Sequence, residues 1–176
     1  MNKTSSRDDL LGDHRIAFVE AGWHQDIVEQ ARLAFCETIA ESGIDRGAVD
    51  TIKVPGSLEI PLHCQMLAES GHYRMIVAAG FIIDGGIYRH DFVASSVIDG
   101  IVHVQLKTGI PILSVVLTPH HFSGSEEHYQ FFYDHFKVKG REAGEACIAV
   151  LGNLSLHRYQ NWHGSVDDVM TSVAQN

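Results

Sequence analysis

The sequence is short of positive charge, of cysteine and of long apolar runs, and each shortage removes a class of function. It has 13 lysines and arginines against 22 aspartates and glutamates, a net charge of -9 with pI about 5.7. No basic face is left for a phosphodiester backbone, so nucleic acid is not an expected partner. Cys36, Cys64 and Cys147 are odd in number, lack metal-type spacing and sit among apolar neighbours. That is the pattern of buried, reduced thiols, and it points to the cytoplasm. No apolar run reaches the ~20 residues of a membrane span, and the opening MNKTSSRDDLLGD lacks the apolar core of a signal peptide. A membrane is not expected as a partner.

Chemical motifs are missing too. There is no G-x-S-x-G elbow, no Walker loop and no G-x-G-x-x-G fingerprint, so hydrolase, nucleotidase and dehydrogenase readings lose their usual support. The chain has 12 histidines, yet His128 and His135 are seven apart on an expected helix and no His-Glu-x-x-His pattern occurs. No metal site is expected. Histidines with ordinary titration near neutrality suit proton transfer or a solvated surface better.

What is present is an alternation of strand and helix in 176 residues, 45% of them hydrophobic, enough for one domain with a sizeable core. Residues 1–13 read as a flexible arm, 14–154 as the domain and 155–176 as a loosely ordered tail. Within the domain, strands are expected at Arg15 to Ala21, Val49 to Val54, Met75 to Ile83 and Pro111 to Leu117. The runs MIVAAGFII and PILSVVL are apolar almost throughout, as strands buried on both faces are. Helices are expected from Asp26 to Ser42, with Ile27, Ala31, Ala34, Phe35 and Ile39 at helical spacing, and from Leu58 to Glu69, with Pro61 in its first turn and Ser57 placed to cap. A third runs from about His90 to Lys107, with Phe92, Val93, Val97, Ile101 and Val104 on one side. A fourth covers roughly Glu126 to Leu151, broken near Lys139-Gly140. The fold this implies is α/β: a three-layer, flavodoxin-like sandwich around a four-stranded parallel sheet.

In such sheets ligands bind beyond the carboxyl ends of the strands. All four strand-to-helix loops carry chemistry: Trp23-His24, Gly56-Ser57-Leu58-Glu59, Asp84-Gly85-Gly86 with Arg89-His90, and Thr118-Pro119-His120-His121. They are expected to converge. Asp84-Gly85-Gly86 opening a helix suits an anion, because glycines admit a ligand close to the backbone and first-turn N–H groups point outward; it equally suits a plain turn. Trp23 suits stacking on a flat ring or plugging the core. Glu59 suits a ligand contact or simply the positive end of a helix.

Taken together, Trp23, the run Gly56-Ser57-Leu58-Glu59-Ile60-Pro61, the turn Gly80 to Gly86 leading to Asp91-Phe92-Val93, Val116-Leu117-Thr118 and Lys139-Gly140 resemble the lumazine synthase family from about Arg15 to Leu151. The resemblance implies a cofactor-free condensation of 5-amino-6-(ribitylamino)uracil with 3,4-dihydroxy-2-butanone 4-phosphate. It implies that Trp23 and the backbone of Ser57, Leu58 and Glu59 hold the pyrimidine, that Phe81, Ile82 and Ile83 line its pocket, and that Gly86 and Ile87 hold the phosphate. Ser114, His128 and Lys139 would come from a neighbouring subunit, with His128 standing where most members have an arginine. Arg89 occupies the position where the common pattern has histidine, two before the Asp, and is the implied catalytic residue. DGGIYRHDFVA, LTPHHF and HFKVKG resemble the decameric branch, which implies a dimer of pentamers. The alternative carried with it is a flavin- or lumazine-binding protein of the same fold with little turnover.

Overall fold

Alternation along the strands divides the core in two, and a computed structural model describing residues 10–86 and 89–157 shows how. The chain order is β1 (Arg15–Ala21), α1 (Gln25–Glu41), β2 (Val49–Val54), α2 (Ile60–Glu69), β3 (Tyr73–Phe81), α3 (His90–Thr108), β4 (Ile112–Leu117) and α4 (Glu126–His157). All four strands are parallel, in the order β2-β1-β3-β4. This is the flavodoxin-like sandwich expected from the sequence.

On one face Ile16 and Phe18 of β1 and Met75, Val77, Ala79 and Phe81 of β3 pack under α1 and α4. On the other, Ala17, Val19 and Ala21 join Ile76 and Ala78 under α2 and α3. Period two sends neighbouring residues to opposite faces, so a strand covered on both sides must be apolar throughout. Glu20 is the exception, a carboxylate 1% exposed in the last part of β1. It accepts a hydrogen bond from Arg32 Nε of α1 at 2.9 Å, and Lys53 Nζ of β2 lies 3.6 Å away. At the other end of β1, Arg15 donates to both carboxylate oxygens of Asp50 and holds that carboxyl below its ordinary range.

The helices depart from expectation in three places. The helix expected from Leu58 begins as a 3-10 turn, Ser57–Glu59, and becomes α-helical at Ile60. Ser57 makes no capping bond there; a Cβ on Gly80 would lie 2.9 Å from its hydroxyl, so this turn rests directly on the end of β3. Phe92 is 59% exposed rather than on the buried side of α3, which Val97, Ile101 and Val104 form. The break expected at Lys139-Gly140 is absent, because Gly140 and Gly144 are where α4 meets α1. A Cβ on Gly140 would lie 2.8 Å from Ala31 Cα, and one on Gly144 2.7 Å from Thr38 Cβ.

Part of both expected tails is ordered. Leu11 is buried in the α1/α4 core, and Ser155 continues α4. Residues 1–9 and 158–176 lie outside the described residues.

Candidate active site

Three strand ends make a cleft. Trp23 and His24 follow β1, the segment Pro55 to Glu59 follows β2, Phe81, Ile82, Ile83 and Gly85 come from the end of β3 and its loop, and His90 and Val93 rise from the start of α3. The volume of this open cleft is about 410 Å³, within the range of small-molecule sites. It lies where the chain leaves β1 toward β2 on one side and, later, toward β3 on the other. Open parallel sheets leave a crevice at this reversal.

Local sequence explains why these loops stand close. Gly22 N–H donates to Val54 O at 2.8 Å, and a Cβ at Gly22 would come within 3.2 Å of Pro55 O, so glycine lets the loops after β1 and β2 touch. His24 then takes a left-handed backbone, φ 52 and ψ 43, which few non-glycine residues adopt. Its carbonyl accepts the N–H groups of Ile27 and Val28 in the first turn of α1, each at 3.0 Å. Its ring is edge-on to Phe81 and Phe122, centroids 5.6 and 5.7 Å apart. This packing fixes the floor beside Trp23, whose own surface is 67% exposed. An indole that open is no core plug.

The residues singled out in the sequence divide by place. Trp23, Ser57, Leu58, Glu59, Phe81, Ile82 and Ile83 all line the cleft. Gly86 lies just past it with φ 74, and its N–H is taken by Asp84 Oδ1 at 2.9 Å in an Asx turn. Ile87 is outside the described residues. Arg89 immediately precedes α3 and does not line the cleft; its side chain is 70% exposed, paired with Asp91 at 3.0 Å and lying 4.0 Å over the Phe92 ring.

Ser114, exposed on edge strand β4, and Lys139, bonded to Glu142 at 2.7 Å, are away from this cleft. So is His128, whose Nδ1 accepts the Ser123 N–H at 3.1 Å while its own N–H meets Ser125 Oγ, shaping the start of α4. Of the fourth loop, which follows edge strand β4, Thr118 to His121 do not line the cleft, but Phe122 just beyond them packs against His24 and Phe81, which do. Among the described residues no group of three or more His, Cys, Asp or Glu side chains is arranged to hold a metal ion, and no helix is long and apolar enough to cross a membrane.

Two imidazoles of the cleft, His24 and His90, stand out in the sequence only as loop residues, with no role in the site. His24 was visible beside Trp23, but only its left-handed backbone turns it into the floor. His90 was passed over for its neighbour, Arg89.

A cleft with this lining accepts a flat ring against Trp23 and an apolar wall, with imidazoles in reach. The family model for 6,7-dimethyl-8-ribityllumazine synthase matches residues 13–155, which include every element that builds it. The chain belongs to the lumazine synthase family. It is 54% identical over 140 residues to the 6,7-dimethyl-8-ribityllumazine synthase of Rhodococcus erythropolis, covering 80% of this chain and 90% of that one. It is 49% identical over 147 residues to 6,7-dimethyl-8-ribityllumazine synthase 2 of Pseudomonas syringae pv. tomato, covering 83% and 86%. To the protein of the same name from Bradyrhizobium diazoefficiens it is 51% identical over 146 residues, covering 83% and 87%. Seven of the positions that the family resemblance singles out line the cleft of this one chain, while Gly86, Arg89, Ser114, His128 and Lys139 lie outside it.

Proposed function

We propose that the chain is a working 6,7-dimethyl-8-ribityllumazine synthase, condensing 5-amino-6-(ribitylamino)uracil with 3,4-dihydroxy-2-butanone 4-phosphate and releasing phosphate and water. The observation that carries this reading is Trp23: an aromatic 67% exposed in a cleft that Phe81, Ile82 and Ile83 also line is suited to stack on a heteroaromatic ring. Backbone groups at Ser57, Leu58 and Glu59 orient the pyrimidine. Gly86 and Ile87 hold the phosphate, which requires Asp84 to release the Gly86 N–H it now occupies. Arg89 meets the phosphate's charge. Its pair with Asp91 is exposed on both sides, and such pairs exchange partners readily. A dianionic phosphate is the stronger partner for a guanidinium.

No cofactor takes part. The substrate amine is already nucleophilic, so the protein holds two reactants in register and moves protons. The site is completed by Ser114, His128 and Lys139 of a neighbouring copy in a cytoplasmic dimer of pentamers. Exposed Leu62 and Met66 on α2 and Val102 and Leu106 on α3, each pair four residues apart, supply apolar surface for that association.

The exposed Trp23 serves a flavin equally well, and a binding protein without turnover is the second reading. Mixing the chain with both substrates separates them. Lumazine absorbance is expected; saturable riboflavin binding without any lumazine supports the second reading instead.

A further inference from the structure

Arg89 and His90 are adjacent, but the start of α3 sends them to different places. Successive residues on a helix are rotated by about 100°, so two neighbours at a helix start do not face one cleft together. His90, the first residue of α3, lines the cleft. Arg89 lies outside it, paired with the Asp91 carboxylate and over the Phe92 ring. Charge and proton transfer are thereby assigned to different residues. A guanidinium stays protonated at every working pH and cannot relay a proton, whereas imidazole exchanges one between about pH 5 and about pH 8.

The groups surrounding His90 narrow the choice further. Glu59 faces the cleft from the turn before α2 and His24 from the turn before α1, with Asp84 in the loop after β3 and Arg89 and Asp91 on either side in sequence. His24 is wedged edge-on between Phe81 and Phe122. Among the described residues no hydrogen bond engages the His90 ring.

We propose that His90 is the proton-transfer residue of the condensation, an assignment that rests on the synthase reading above. After the pyrimidine amine adds to the ketone, the His90 imidazolium gives its proton to the carbinolamine hydroxyl. The C–O bond breaks, the nitrogen lone pair forms the C=N bond, and water leaves. The neutral imidazole then takes the proton from the iminium nitrogen, leaving the imine and restoring the imidazolium. Arg89 takes no part in this step.

The test is the pH dependence of kcat for lumazine formation in wild type, His90→Gln, His24→Asn and Arg89→Ala. His90→Gln is expected to lose about 10²–10⁴-fold in kcat with the pyrimidine KM little changed, to lose one limb of the wild-type pH profile, and to regain part of its rate with added imidazole. Arg89→Ala is expected to keep the limb and to bind inorganic phosphate more weakly. His90→Asn repeats the measurement if the glutamine variant does not fold. A His90 variant with wild-type kcat, or one that is slow yet keeps the limb, overturns the proposal, as does a limb that disappears only in His24→Asn. Wild type that makes no lumazine at any pH refutes the synthase reading, and the proposal with it.

Discussion

Trp23 is large, apolar and two-thirds exposed, a combination that nothing in the packing of the chain rewards. Its removal separates ligand binding from stability. Trp23→Ala is expected to weaken a pyrimidine substrate analogue and riboflavin by about 10- to 100-fold, the ~1–3 kcal/mol of a lost stacking partner, while the melting temperature changes by no more than about 2 °C. Calorimetric titration beside a thermal melt gives both numbers. Unchanged affinity with a collapsed melting temperature contradicts the assignment. The place of Trp23 in the cleft was legible in the sequence, because an aromatic directly after a buried strand stands at the sheet's carboxyl edge. His90 was not legible, because which of two adjacent polar residues enters the cleft depends on where α3 starts, and a shift of one residue exchanges them.

At the scale of elements, β1 and β2 have the bounds expected from sequence, where Gly22 and Pro55 punctuate them. β3 runs from Tyr73 to Phe81 rather than Met75 to Ile83, a slip with a physical cause at each end. Ile82 and Ile83 are apolar as cleft wall rather than as strand, and Tyr73 begins the strand because it pairs with Arg15 and donates to Asp50. The glycines of α4 were misread for a related reason. Composition shows that a glycine weakens a helix, but only the α1/α4 crossing shows what its missing side chain admits.

Two substitutions in that one helix measure the difference. Gly140→Ala places a methyl against the Ala31 backbone and is expected to destabilise by at least ~1–3 kcal/mol. Gly152→Ala, with nothing within 4 Å of its Cβ, is expected to stabilise by about 0.5–1 kcal/mol from helix propensity alone. Urea melts check the pair. Equal effects at the two positions contradict the close-packing role.

The whole molecule poses the question of assembly. One chain lines the cleft with residues of three loops, whereas Ser114 on the edge strand, His128 at the start of α4 and Lys139 farther along α4 lie away from it. A sequence resemblance names those positions as site residues; a single fold gives them no common cleft, and a second copy is the simplest way to bring them to one. Light scattering is therefore expected to give a mass about ten times 19.5 kDa, and a monomer at micromolar concentration contradicts the assembly. The central claim is that this cleft completes a condensation. The most direct measurement follows the lumazine chromophore and inorganic phosphate in one reaction containing wild-type chain and both substrates. Equal rates of the two products, well above the rate without protein, are the expected result; pyrimidine binding with neither product formed above that background contradicts it.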